Sequence, residues 1–403
     1  MSTSTDVVIV GAGLAGLRAA QVLEQQGREV VVVESAEHVG GRISSEVIDG
    51  FTIDAGFQLL NTSYPELRAA QLRSRLDLRF FPSTVALRKG GKDQILAHPL
   101  RDPRGVVQSL WGARHELPDL ARFAKVLAGV GLTPTPGFLE APDSTTLEGL
   151  RRRGLSERFI DETVRPFLQG VLLENELETS WRYTQLVLRS FVRGRAAVPS
   201  AGMRGLPLAL RRTLTSTQFR FGERVHELRS DGVTTNLGTI TAQHVVVATD
   251  QNSAARLLGR AEEPQRTVTT WWFSTPVLRD GRLHLDVDGA FLANAVAMSV
   301  SAPEYAPTGR SLVAASAVGH HEAAGEQRAR TAVARLFGLV TSDVELIATS
   351  RIAEALPVRS AGESWRGSDV IDGVTFAGDY LETPSIQGAL VSGRRAATRV
   401  LQV

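Results

Sequence analysis

Six residues near the amino terminus, Gly11-Ala12-Gly13-Leu14-Ala15-Gly16, have the spacing with which a polypeptide backbone holds phosphates. Gly11 permits a tight turn, Gly13 clears a path for a pyrophosphate, and Gly16 lets a helix pack closely on a strand. The N–H groups of a helix starting at Leu14 and Ala15 then meet the phosphates with the positive end of the dipole. Glu34 stands 18 residues after Gly16. A carboxylate there accepts hydrogen bonds from a ribose diol and repels a 2′-phosphate, so the expected ligand is a dinucleotide other than NADP. In Val39-Gly40-Gly41-Arg42, two glycines before an arginine would bring backbone and guanidinium to a phosphate together. A plain turn with a surface arginine is the other reading of that segment.

The elements that must position these residues are legible around them. Asp6-Val7-Val8-Ile9-Val10 is a β-branched run of the kind that forms a buried parallel strand. From Leu14 to Gln26, Ala15, Ala19, Val22 and Leu23 fall on one helical face, and Gly27 ends the helix. Glu29 to Glu34 supplies a second strand, completing a β-α-β unit within about 30 residues. Phe51 to Gln58 alternates like a strand and contains Gly56 and Phe57. Far along the chain, the apolar run Val374-Thr375-Phe376-Ala377 ends in Gly378-Asp379-Tyr380, and Pro384-Ser385-Ile386-Gln387-Gly388 follows. Small residues at Gly388, Ala389, Ser392, Gly393, Ala396 and Ala397 predict a helix packed tightly against the sheet or a flat ring.

This arrangement resembles the flavoprotein superfamily of amine oxidases, protoporphyrinogen oxidases and phytoene desaturases. Three middle segments extend the resemblance. Pro199-Ser200-Ala201-Gly202-Met203 looks like the family's Pro-x-Gly-Gly-Met helix start, with Ala201 in place of the first glycine. Gly222-Glu223-Arg224-Val225 and Val245-Val246-Val247-Ala248-Thr249-Asp250 look like the adenine-contacting segment and the strand-ending Ala-Thr motif. The resemblance implies non-covalent FAD. Gly11, Gly13, Leu14, Ala15, Gly16, Glu34 and Ser35 would hold its adenosine and phosphate half. Gly40, Gly41 and Arg42 would join them at the phosphates, and Val225 would contact adenine through its backbone. Gly56, Phe57, Gly378, Asp379, Ser385 and Ile386 would close over the rest. The C-terminal motif is most similar to plant-type carotene desaturases and hydroxysqualene-processing flavoenzymes. No second strand-GxGxxG-helix unit is present, so no dedicated NAD(P)H site is expected.

The fold class expected is α/β, a Rossmann-like FAD-binding domain with a discontinuous α+β substrate domain. Residues 1–75, 200–262 and 358–403 would form the first, and 76–199 and 263–357 the second. Within the latter, residues 146–195 have helical spacing with Pro166 breaking one helix, and 266–300 alternate like strands of a roughly six-stranded sheet. A half-buried strand there would turn Trp271 or Trp272 inward, into the core or towards the flavin. Tyr380 is weighed evenly between lining the site and a structural use. His320 and His321 lack metal-ligand spacing, and no metal site is expected.

Composition bounds the rest. At 403 residues, 43% hydrophobic and 22% charged, the chain has the balance of a globular protein of two or three folding units. It has no cysteine, which removes thiolate chemistry and any cysteinyl flavin link. Its net charge of +2 indicates no nucleic-acid partner. Lysine occurs only at Lys89, Lys92 and Lys125, leaving 42 arginines among the 45 basic residues. Neither a signal peptide nor a membrane span is visible, so the expected location is the cytoplasm.

The chemistry the resemblance implies is hydride removal from a substrate carbon to flavin N5, with no obligatory acid or base and hence no catalytic residue named. A small apolar substrate, isoprenoid or lipid-like, is the first reading. A peroxide-producing amine oxidase is the second, weakened because amine-oxidising relatives usually carry a substrate-domain lysine and none follows Lys125. A catalytically silent flavoprotein is the third. Arg101 to Leu132 mixes Trp111, Phe123 and aliphatic residues with basic ones. It could dock peripherally on the inner membrane face or pack its apolar side on the substrate domain. Oligomeric state is left open.

Overall fold

The structure, a computed structural model, describes residues 3–98, 101–102, 104–106, 109, 116–134, 137–138, 140–364, 366–367 and 369–402. Two large sheets organise the chain. The first has eight strands, ordered Gln218–Arg220, Val30–Val33, Thr3–Val10, Gly238–Val247, Gly232–Thr235 and Val225–Arg229 along its main path. Val374–Phe376 also pairs with Gly238–Val247, and Val370–Ile371 pairs with it in turn. Thr3–Val10 lies parallel to both neighbours, with Val7 opposite Val30 and Val10 opposite Val247. Its β-branched run is buried on both faces. Val7, Ile9, Val30 and Val32 pack under the helix Leu14–Gln25, while Val8, Val10, Val31 and Val33 meet Val233, Val245 and Val247.

The second sheet has seven strands, in the order Glu345–Pro357, Gln265–Thr275, Ser311–Val318, Asn294–Ala297, Leu283–Asp286, Thr84–Lys89 and Lys92–Ala97. Its only parallel pair is Leu283–Asp286 with Thr84–Lys89; the other neighbours are antiparallel. One face carries the helix Ala323–Phe337, whose Ala329, Ala332 and Val333 pack on Trp271, Phe273 and Val313. Because Gln265–Thr275 is an interior strand covered on both faces, Trp271 and Trp272 are both fully buried, in different cores. The half-buried strand expected there is therefore corrected. A small three-stranded sheet, Leu60–Asn61, Ala196–Pro199 and Leu78–Phe80, bridges the two halves.

Most of the described residues between 117 and 193 are helical. Pro166 does not break its helix: five residues of π-helix, Ile160–Val164, precede Arg165–Leu172 and carry the chain onward. The wider turn removes the carbonyl clash that a proline ring would cause in regular α-helix. The helix Leu117–Leu132 buries Val126 and Val130, and half-buries Leu120, Phe123 and Leu127, against Leu150, Phe159 and Leu188. Its apolar face is thus used by the protein core, which leaves Leu117 and Leu132 exposed at its ends. Trp111 and Arg114 of the same stretch lie outside the described residues. No described helix is long and apolar enough to cross a membrane.

The last helix, Ile386–Val400, packs on the first helix as well as beside the sheet: a Cβ on Gly393 would lie 2.1 Å from the Ala15 carbonyl oxygen, and Ser392 Oγ accepts from the Gly378 N–H just beyond Val374–Phe376.

Candidate cofactor and substrate site

The glycine loop divides its work between protein and ligand. Gly11, at φ 104°, donates to the Val33 carbonyl at 2.8 Å, and a Cβ there would press on the Ala248 carbonyl. A Cβ on Gly16 would sit 2.0 Å from the Gly11 oxygen, so both are demanded by packing. A Cβ on Gly13 would meet nothing within 4 Å. Its open side faces a cavity, and no side chain caps the helix at this position, so first-turn N–H groups remain for a ligand.

Glu34 is held at the end of its strand from several sides. Its carboxylate accepts from the Ala12 N–H at 2.7 Å and the Ala36 N–H at 2.9 Å, with Ser35 Oγ at 3.3 Å. Its own N–H donates to Arg220, and Glu223 N–H donates to its carbonyl. A carboxylate oxygen can accept more than one bond and Oε2 receives only the Ala12 N–H, so capacity for a ribose diol remains. Val225 opens the neighbouring hairpin at the same end of the cavity.

Gly40 donates to the Ala12 carbonyl at 2.9 Å and bridges to Gly13, which docks the double glycine against the loop. Arg42 differs from the simple expectation. Its guanidinium donates to Asp379 at 2.5 Å and to the Ala355 carbonyl at 3.1 Å, tying early chain to late chain. Asp379 raises the guanidinium further, so it stays charged. Two of its nitrogens are thus engaged within the protein, and its remaining N–H donors are what a phosphate could use.

Gly56, at φ 86°, and Phe57 lie where the two halves meet, the Phe57 N–H reaching Thr270 Oγ1 at 3.4 Å. Gln58 donates to the Arg42 carbonyl at 2.9 Å while its Oε1 is buried without a partner. Gly378 N–H donates to Ser392 Oγ, and Ser385 caps the last helix by accepting from the Gly388 N–H at 3.0 Å. Ile386 starts that helix. All the expected contact residues except Gly16, which lies behind the loop, line one cavity of about 1290 Å³. That exceeds the roughly 300–1,000 Å³ of a drug-sized site and leaves room for a dinucleotide with a substrate beside it.

The far walls of the cavity were not legible in the sequence. Phe167, Val171, Leu173, Leu186 and Val187 come from the helical region, and Leu283, Leu285, Asn294 and Ile352 from the seven-stranded sheet. Tyr64 and Tyr183 also face it; burial pushes the Tyr64 phenol up to about 12, and Tyr183 donates to the Pro384 carbonyl at 2.7 Å. Asp250 lines it beside Glu354. Burial raises Asp250, but bonds from the Ser253 hydroxyl and N–H outweigh it and hold the carboxyl below its ordinary value. Burial and Asp250 together raise Glu354. Asp250 could have been found as the cap of Gln251–Leu257, whereas Asn294 has no sequence signal. Tyr380 and both tryptophans lie outside the lining, and Tyr380 is half-buried against Gly378. His320 pairs with Glu322 at the surface, and His321 rests on Trp271 and Phe291. Among the described residues no group of three acids or histidines could hold a metal.

Comparison with known proteins gives the family and the fold. Residues 14–401 match the profile of the flavin-containing amine oxidoreductases. The chain belongs to that family. It is 26% identical over 213 residues to the 15-cis-phytoene desaturase of Narcissus pseudonarcissus, covering 50% of this chain and 37% of that one. It is 30% identical over 180 residues to the chloroplastic protoporphyrinogen oxidase of Nicotiana tabacum, covering 41% and 29%. A putrescine oxidase of Kocuria rosea matches at 47% over 64 residues, 16% of this chain and 13% of the relative. These matches span well under half of the relatives' own length. Whole-chain likeness is seen in folds: an oxidoreductase from Methanosarcina mazei superposes with TM-score 0.77 at 16% identity, over 99% of this chain and 100% of its own. Cyclohexylamine oxidase from Brevibacterium oxydans IH-35A gives 0.71 at 17%, over 99% of each. The architecture is thus an α/β fold with FAD-binding and substrate domains.

The residues present fit the family's FAD. The clear approach at Gly13, the helix start without a side-chain cap, the anchored Glu34 and the orphaned Gln58 acceptor all open on one continuous cavity.

Proposed function

We propose that the protein is an FAD-dependent oxidoreductase that removes a hydride from a carbon of an apolar, isoprenoid or lipid-like substrate, with FAD held without a covalent link. When bound, the flavin supplies the hydride acceptor; the chain supplies binding, orientation and exclusion of water. The observation that carries the substrate class is the charge of the far cavity. Its described lining between residues 167 and 196 and between 268 and 356 contains no carboxylate, and its only charged side chains are Arg189 and Arg193. An amine is a cation at neutral pH and would meet no counter-ion there. Lys89, at the end of a strand of the seven-stranded sheet, is instead bound to Glu116 and Glu162.

The test is an anaerobic absorbance screen of the purified yellow protein against isoprenoids, porphyrinogens and amines. Bleaching by an isoprenoid is the expected result. Rapid bleaching by an amine, with peroxide formed on admitting air, overturns the substrate class, and no bleaching by any compound favours a silent flavoprotein. Acid precipitation should leave the flavin in the supernatant, and colour in the pellet would show a covalent link.

A further inference from the structure

One polar group in the far cavity has no role in holding the fold. Asn294 is 4% exposed, on a strand of the seven-stranded sheet, beside Phe167, Val171, Leu283 and Leu285 in the cavity wall. Its neighbours in the sheet are satisfied, since Ser316 and Thr270 share a hydrogen bond at 2.9 Å. Asn294 is not. Its Oδ1 is buried without a partner.

The amide is also given space. A Cβ on Gly170 would lie 2.5 Å from Asn294 Nδ2, so the side chain occupies room that only a glycine on the facing helix leaves free. A buried amide oxygen left unpaired is destabilising, and an aliphatic residue would avoid that cost. Orphaned polar groups in an otherwise apolar cavity wall are the usual means by which a site fixes the orientation of a ligand.

We propose that Asn294 is a specificity-determining residue that binds a hydroxyl group on the substrate. This rests on the reading of the far cavity as the substrate's. The amide offers donors and an acceptor, and a hydroxyl is both donor and acceptor, so either orientation of the amide is served. A charged group is disfavoured, because a neutral amide cannot repay the desolvation of an ion. The substrate is therefore an apolar alcohol rather than a bare hydrocarbon or an amine.

Equilibrium dialysis of farnesol and β-farnesene against the purified holoprotein, Asn294→Leu and Asn294→Ala tests this. These ligands share a carbon skeleton and differ chiefly in the hydroxyl. Both variants should shift the ratio of the two dissociation constants towards the hydrocarbon by about tenfold or more. An unchanged ratio overturns the proposal. So does failure of the wild type to bind farnesol, or a higher melting temperature of Asn294→Leu with an unchanged ratio, which would assign the amide to a trapped water. Dialysis reads binding whether or not the flavin is reduced. Failure of the hydride-transfer reading would show in the anaerobic screen and leave this result standing.

Discussion

The two ends of the cavity are built by different means. At the proposed nucleotide end the ligand would be met mainly by backbone: N–H groups of the first helix, the double glycine at 40–41, and Glu34 fixed by two main-chain N–H groups. At the far end it is met by side chains carried on helices and strands more than a hundred residues apart in sequence. Backbone recognition tolerates few substitutions because it depends on the absence of a Cβ. Side-chain recognition is replaceable one residue at a time. The general chemistry is thus fixed at one end and its substrate is adjustable at the other.

The sharpest way to break that contrast lies within the loop itself. Gly13→Val should abolish flavin retention while leaving the melting temperature of flavin-free protein unchanged, because its Cβ enters the ligand's space alone. Gly16→Ala should instead destabilise the flavin-free chain by about 3 kcal/mol, since its Cβ collides with the Gly11 carbonyl. Thermal melts and flavin content of the two variants check the pair. If both lose stability equally, no part of the loop is reserved for the ligand.

The joint between the halves provides the next test. Asp54 accepts from Ser45 Oγ, Met203 N–H and, at 3.0 Å, the Tyr305 hydroxyl that reaches it from beside the seven-stranded sheet. Burial outweighs these bonds and pushes its carboxyl from 3.8 up to about 6. Between those values the folded chain retains a proton that the unfolded chain releases. The contribution is therefore fully present below about pH 4 and is lost as the pH rises to about 6, by about 3 kcal/mol at most. Denaturation of wild type and Asp54→Asn across this range should show the wild type losing stability relative to the variant as pH rises. Parallel profiles would mean that Asp54 is ionised throughout and that its three donors prevail.

The smallest expected effect is at Glu34. Glu34→Ala should weaken FAD retention by about 1–3 kcal/mol, the scale for losing hydrogen bonds to a charged group. Titration of flavin into the stripped variant measures it. Unchanged affinity would confine Glu34 to bracing the loop through Ala12 and Ala36.

What could be read in advance follows the same division. Glycine geometry is local, so the turn at Gly11, the close packing at Gly16 and the open approach at Gly13 are all implicit in six consecutive residues. Arg42 was seen as a phosphate ligand but not as the partner of Asp379, because that pair joins segments 337 positions apart and only the folded sheet brings them together. Trp271 and Trp272 illustrate the same limit. Alternation predicts one inward face, but an interior strand in a sheet covered on both sides buries both. Asn294 is invisible in sequence, being one polar residue in the buried strand Asn294–Ala297 whose meaning depends on a glycine 124 positions earlier. For the helix Leu117–Leu132 amphipathicity was plain, and only packing could show that the protein covers the apolar face itself.

The contact of Gly393 with Ala15 has a consequence for biosynthesis. The helix that would present its N–H groups to the phosphates is clamped at Ala15 by a residue translated 378 positions later, and the strand before it pairs with residues 240–247. A nascent chain therefore displays its glycine loop long before the elements that rigidify it have left the ribosome. Such long-range closure is slow relative to local folding and leaves sheet edges exposed meanwhile. Cofactor capture would then wait for segments more than two hundred residues further along the chain to close on the loop.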